Sequence, residues 1–368
     1  MAVTAIADVF VPEVIGAIVT DILFERTPLL ALGSVSNATE QVFGDGGNTV
    51  TFPYFDSARG IVQDNPGATR SGVTPSKISM GSYQETMNSK IISLDADKNA
   101  LADALRAANP MAHISELVAR ESQLAIQGDL VDKAMQTPLQ LNVLGESTKT
   151  LTVDYILEAK MKRGEYAAFG RPVLYAATKA VTDLKKSTDW KTLATASTTS
   201  IATNGQITAG QMVDGSVHQV DIAPMDSVRN QSDIPAVSGI VQTAGTATIT
   251  YAAAHGLKPG DIITVGGANQ AGYNGDHVVL TTPTSTTATF AVDSGTVTPA
   301  TGTLTRTANY CSLMIWPAAL GYYPKKAMEG IYKDVHAGST VATWDFDFRW
   351  ASTLWRMAPR GVVKIWHR

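Results

Sequence analysis

A single cysteine, Cys311, stands among 368 residues. A lone thiol cannot close an intrachain disulfide or furnish a Cys-based zinc site, so stability has to come from packing or assembly. Charge of either sign is also scarce in excess: 29 Lys and Arg face 33 Asp and Glu, a formal net charge of −4. That balance gives no blanket affinity for nucleic acid or membrane. Long apolar runs are missing. The longest, CSLMIWPAALGYY, is broken by Pro317 and falls short of the roughly 20 residues that cross a bilayer. The opening MAVTAIADVFVPEVIGAIVTDILFE has no Lys/Arg start and carries Asp8, Glu13 and Asp21, which argues against an export signal. What remains is 44% hydrophobic, ample for a sizeable core, and reads as a soluble globular protein made in a cytoplasm.

Catalytic signatures are lacking too. The glycine-rich GGANQAGYNG, Gly266 to Gly275, follows the apolar run IITV. A dinucleotide fingerprint needs G-x-G-x-x-G between a strand and a helix N-terminus, and a P-loop needs Gly-Lys-Ser/Thr. This stretch has neither, and the strand-like DHVVLTT comes next. It is read as a turn, with Asn274-Gly275 a strong turn dipeptide. His255, Gly256, Gly260 and Asp261 in AAAHGLKPGD are read the same way. No two of the six histidines have the i, i+4 spacing of a helical metal site. Asp345 and Asp347 share one strand face, where salt bridges to a neighbour are preferred over a cation. Cys311, in apolar surroundings, reads as a buried inert thiol. No catalytic, cofactor-binding or metal site is expected, and the chain is not read as an enzyme.

The order of parts is more informative. Pro12 and Glu13 suit a first helical turn, and Val14, Ile18 and Ile22 with Ile15, Val19 and Leu23 form an apolar stripe with no neighbouring element to cover it. NTVTFPYF (48–55) and the extended stretch 77–94 flank a polar span of about twenty residues, a protruding hairpin arm. Helices are expected over 95–108 and over 109–137, the latter with Asn109 as cap and Leu117, Leu124 and Val131 as a seven-residue repeat. Helix (VDYILEAKMKR), strand (PVLYAA) and helix (TKAVTDLKK) follow, and the strand SLMIW with a helix around 325–332 resumes that style. In between, residues 236–308 hold seventeen threonines and only five charged groups, in short alternating stretches. They read as an inserted all-β module. WDFDFRW (344–350) alternates aromatics with charges, a half-buried strand. The first fifty residues carry Asp8, Glu13, Asp21, Glu25, Glu40 and Asp45 against Arg26 alone, whereas Arg349, Arg356, Arg360, Lys364 and Arg368 meet no acid from 349 onward. Acidic arm and basic end suit contact between subunits, or the basic end faces DNA phosphates.

An arm containing VPEVIGAIVTDILFERTPLLALGSV, a long hairpin, a long helix, an α/β domain and returning strands together resemble the major capsid protein of tailed bacteriophages, the Hong Kong ninety-seven type fold. The inserted module, with its HGLKPGD and GYNG turns followed by FAV and TGT, is similar to small immunoglobulin-like β modules of phage structural proteins. The resemblance implies an α+β fold with an N-terminal arm (1–45), an extended loop (46–94) and a peripheral domain (95–149) whose spine helix spans 109–137. It further implies an axial domain (150–235 and 309–340), the inserted sandwich-like domain (236–308) and peripheral C-terminal strands (341–368). It implies hexamers and pentamers of an icosahedral head around double-stranded DNA, with a separate scaffolding protein and a portal as partners, no cofactor, no membrane and a place in the virion. Lys77 and Lys90 lie in the loop, but nothing around them supports the lysine–asparagine cross-link of some relatives. The alternative is a tail or adhesin component that uses the β module to bind host carbohydrate.

Overall fold

The computed structural model describes residues 27–37, 43–46, 48–55, 80–97, 110–137, 142–144, 150–163, 170–187, 211–213, 219–225, 230–333, 341–355 and 361–368. The expected N-terminal helix, the tip of the hairpin arm and residues 98–109 lie outside them. In chain order the elements begin with the short helix α1 (Pro28–Ala31), then β1 (Val35–Asn37), β2 (Phe43–Gly46), β3 (Thr49–Phe55), β4 (Met80–Thr86), β5 (Asn88–Asp97) and the long helix α2 (Pro110–Met135). Next come β6 (Asn142–Leu144), α3 (Val153–Arg163), β7 (Val173–Ala176), α4 (Thr178–Lys186), β8 (Gln211–Val213) and β9 (Gln219–Pro224). A run of strands follows: β10 (Val237–Thr243), β11 (Thr246–Tyr251), β12 (Ile262–Ala268), β13 (Gly275–Thr284), β14 (Thr287–Ala291) and β15 (Gly302–Thr307). The last are β16 (Tyr310–Ile315), β17 (Leu320–Lys333), β18 (Val341–Leu354) and β19 (Val362–His367).

Two compact units emerge: Met1–Lys133 with Ala318–Pro359, and Ala134–Pro317 with Arg360–Arg368. The first holds a sheet in the order β1-β17-β18-β5 and a three-stranded sheet β2-β3-β4. In β18 the alternation of WDFDFRW does its work: Phe346, Phe348 and Trp350 are buried and Arg349 is exposed, the period of two of a one-sided strand. Phe52 packs with Val50, Met87, Ala351 and Trp355, its ring 5.6 Å from that of Trp355 in an edge-to-face pair. One helix expectation fails here, and the first three residues of another are strand. The segment 325–332 lies inside β17, which pairs with β18 from Leu320↔Leu354 to Lys333↔Thr343, with register shifts after Pro324 and Lys326. Its lysines, alanine and glutamate have helical propensity, but a ladder with a strand of fourteen residues outweighs a preference of tenths of a kcal/mol per residue. Asp95, Ala96 and Asp97, expected to open a helix, continue β5 opposite Thr343, Ala342 and Val341.

The long helix also corrects the sequence reading. Of the repeat Leu117, Leu124 and Val131, only Val131 is buried; Leu117 and Leu124 are 49% and 50% exposed. The buried stripe is Val118, Ser122, Ile126, Leu130 and Ala134, every fourth residue of the helix. Ser122 is polar yet lies within this stripe. Its hydroxyl donates to the Val118 carbonyl (2.6 Å) and so is satisfied within the helix.

In the second unit a mixed sheet runs β6-β19-β16-β7-β9-β8, with β6–β19 and β7–β9 parallel. Val153, Ile156 and Ala159 of α3 and Ala180, Val181 and Leu184 of α4 pack with Leu174, Ala176, Met314, Val363 and Ile365 of that sheet and with Trp316 just after β16. β7 and β19 are buried throughout, as strands covered on both faces are. The strands from 237 to 307 form a separate antiparallel sheet, β10-β11-β14-β13-β12-β15, around a core that includes Ile249, Tyr273, Val279 and Phe290. β13 pairs with β12 through Gly275–Val278 and with β14 from Val279 onward, across two register shifts. Ala300, just before β15, donates its N–H to the Ile240 carbonyl of β10 (2.9 Å).

Candidate assembly surfaces

The paired strands β3 and β4 are joined to α2 and β18 by side-chain contacts. β3 and β4 pair antiparallel from Thr49↔Thr86 to Phe55↔Met80, and the residues between them lie outside the described set. Glu85 on β4 meets Lys133 of α2 at 2.5 Å and accepts from the Thr353 hydroxyl (3.3 Å), which also donates to the Tyr83 hydroxyl (2.9 Å). Asp129, one turn before Lys133, accepts from Trp350 Nε1 (2.9 Å) and from the Ser352 hydroxyl. Helix, hairpin base and C-terminal strand are thus tied by charge-assisted hydrogen bonds, roughly twice as strong as neutral ones.

The described basic residues Arg349, Lys364 and Arg368 differ in their surroundings. Arg349 is exposed, with its guanidinium 3.8 Å from Asp347. Arg356 and Arg360 lie outside the described residues, as do Asp8, Glu13, Asp21 and Glu25. Lys364 is 1% exposed, which overturns its reading as a contact for a neighbour or for DNA. Its Nζ donates to the carbonyls of Met135 (3.2 Å) and Thr137 (2.9 Å), where the end of α2 leaves carbonyls without helical partners. Burial pulls its pKa down, opposed by Cys311 and Asp261. Arg368 is also engaged within the chain: Nη2 pairs with Asp276 (2.7 Å) and Nη1 donates to Asn309 Oδ1 (2.6 Å).

Arg368 belongs to a set of stitches between the β module and its host sheet. The Gln231 side chain donates to the Ile262 carbonyl (2.7 Å), and buried Asn309 donates to the same carbonyl (2.9 Å). Arg306 donates from Nε, Nη1 and Nη2 to the carbonyls of Pro235, Gln231 and Ser232. The incoming and outgoing chains lie side by side, with Asn230 bridged to Tyr310 and the Gln231 N–H donating to the Asn309 carbonyl (3.0 Å).

The glycine-rich stretch is a tight crossing of β12 and β15. Gly267 has φ +77°, and a Cβ there would lie 1.9 Å from the Thr303 carbonyl oxygen, so only glycine fits. Asn274 closes the corner by accepting from the Ala268 N–H (3.0 Å) and donating to the Ala268 carbonyl (2.8 Å), and Gly275 follows at φ +115°. At the other corner His255 Nδ1 accepts from the Leu257 N–H (2.9 Å), Asp261 accepts from the Lys258 N–H (2.9 Å), and Gly256 and Gly260 take positive φ. Asp345 accepts from the Ser93 hydroxyl. Among the described residues no group of three or more His, Cys, Asp or Glu side chains is placed to hold a metal ion.

Two buried polar pairs pass unremarked in the sequence. Ser312 and His367 Nε2 are 2.8 Å apart, both buried. Burial lowers the His367 pKa to about 4; the Arg368 backbone and Asp183 oppose the shift and Lys179 adds to it. Arg163, the last residue of α3, continues that helix's buried face of Val153, Ile156 and Ala159. Its guanidinium carbon sits 4.5 Å from the centre of the Trp316 ring. Among the described residues, Nε and Nη1 of Arg163 and Nε1 of Trp316 have no hydrogen-bond partner. Burial lowers the Arg163 pKa to about 10, which leaves it charged at neutral pH. A desolvated cation–π contact contributes about 2 kcal/mol, against about 1–3 kcal/mol for each buried donor left unmade. In sequence, Arg163 is one of three basic residues in a last helical turn, which signals a solvated helix end.

No family model and no curated protein matches this sequence. Solved structures do match the fold. A chain from the capsid of Ralstonia phage GP4 is 12% identical with a TM-score of 0.55, over 90% of this chain and 86% of that one. One from the head of Helicobacter pylori bacteriophage KHP40 is 10% identical at 0.51, over 90% and 85%. One from the acidic stable capsid of Helicobacter pylori bacteriophage KHP30 is 10% identical at 0.50, over the same shares. The chain therefore shares the mixed α+β fold of these phage capsid and head chains.

Proposed function

We propose that this protein is a major capsid protein, a virion component that assembles into hexamers and pentamers of an icosahedral phage head around double-stranded DNA. The observation that carries the proposal is a fold shared with phage capsid and head chains over about nine-tenths of the sequence. Supporting it, the two strands of the arm start from a base braced by Lys133, Glu85 and Thr353. A tied root lets an extended segment reach a neighbouring copy without first losing orientational freedom, the usual entropic cost of association. Repeated heterologous contacts of that kind close into rings and shells. Scaffolding protein, portal and packaged DNA are the partners such a shell implies, and synthesis belongs in the host bacterial cytoplasm. The module of strands β10–β15 strengthens contacts between capsomers or binds surface ligands.

Electron microscopy of the purified protein tests this directly, with polyhedral particles as the expected outcome. A chain lacking residues 56–76 should remain soluble and lose particle formation. Normal shells from that deletion, or only tubes or isolated trimers from the intact chain, count against the proposal.

A further inference from the structure

Three hydrogen-bond donors are left over at one buried place, and two of them belong to a formal cation. Arg163 is 7% exposed and Trp316 1%. No carboxylate among the described residues pairs with this guanidinium, and the indole face lies 4.5 Å away. The indole face attracts the charge but accepts none of the in-plane N–H bonds. The end of α3 supplies no acceptor to Nε or Nη1 either. A water molecule would satisfy a donor and leave the charge uncompensated. An oxyanion does both.

We infer that Arg163 and Trp316 form an oxyanion site, which takes a carboxylate or phosphate oxygen on the Arg163 N–H groups with Trp316 Nε1 as a further donor. Arginine suits this position: its planar guanidinium is more weakly hydrated than an ammonium and keeps its proton under burial. Two sources share the chemistry, an acidic side chain of a second copy of the chain and a free inorganic anion. The site rests on the second unit alone and does not depend on the shell reading.

Titration of the unassembled full chain with inorganic phosphate, at ionic strength held constant with chloride, tests it by calorimetry and by thermal unfolding. Wild-type protein should bind phosphate and unfold at a higher midpoint in its presence. Arg163→Met should remove the response, and Trp316→Phe, which deletes one donor while keeping an aromatic face, should weaken phosphate binding by roughly three- to tenfold. Should Arg163→Met fail to fold, Arg163→Lys and Trp316→Phe carry the comparison. In assembled particles, a phosphate response that disappears while density from a neighbour's carboxylate fills the site identifies a second copy as the source. A response that persists identifies a free anion. Phosphate curves that are the same in wild type and variants, or flat in all of them, overturn the site.

Discussion

Single residues carry sharply different weights in the β module. Gly267 and Gly256 both adopt positive φ, yet only Gly267 faces a backbone oxygen at a distance no Cβ can tolerate; Gly256 faces open space. Gly256→Ala should cost about 1–2 kcal/mol, the ordinary penalty of a left-handed alanine. Gly267→Ala should cost more than about 3 kcal/mol, because the β12–β15 crossing must also open. Urea denaturation of the two variants measures the difference, and equal losses would refute the close approach. His367 gives a pH prediction. It takes up a proton below about 6.5 in the unfolded chain but only below about 4 in the folded one. The unfolded state therefore holds more protons in that window, and stability falls as pH drops from 6.5 to 4, by about 3 kcal/mol in all. His277 shifts in the same direction, by burial, against its bond to the Tyr273 carbonyl and the charge of Asp276. Denaturation midpoints of His367→Gln across this range should show a shallower decline than wild type, with the share of His277 remaining. None of this was visible in the sequence, where His367 is one histidine among six.

Elements were legible wherever local pattern and tertiary role agree. VDYILEAKMKR, PVLYAA and TKAVTDLKK correspond to α3, β7 and α4 within two residues at each end, because apolar spacing, strand length and flanking turns all point one way. The misread elements are those whose identity is set at long range. β17 is a strand because β18 pairs with it. In α2 the seven-residue leucine repeat drew attention from a stripe that includes Ser122 and Ala134, small residues that mark close packing. The correction is testable: Leu117→Gln and Leu124→Gln should change stability by less than about 0.5 kcal/mol, as exposed substitutions do. Leu130→Ala should cost about 2–5 kcal/mol. A large loss from either exposed leucine in the unassembled chain would mean that the stripe is wrongly placed. The buried charges resisted prediction for a related reason. Arg163 in KMKR sits in surface-like sequence and Lys364 is a charge within the apolar GVVKIW, and only the fold shows that both are removed from water.

For the whole molecule, the order of arm, hairpin, long helix, α/β layer and returning strands implied a capsid fold, and the likeness to capsid chains over nine-tenths of the sequence bears out that much. The abrupt change of composition over residues 236–308 is legible in the sequence, whereas the strand order β10-β11-β14-β13-β12-β15 is not, since order depends on which edges meet. A chain in which a short glycine-rich turn replaces residues 238–306 should keep the host sheet, because Asn230 and Tyr310 already lie paired at the junction. Arg368 and Asn309 would lose partners there, a loss of about 1–3 kcal/mol. Circular dichroism and thermal unfolding of that chain check it, and collapse of the host sheet would show that the module is part of its core. The paired junction also makes this a socket. Any foreign polypeptide whose two ends sit a strand's width apart can be plugged in as cargo, and the fold underneath would notice the exchange mainly through the grip it lost on Asp276.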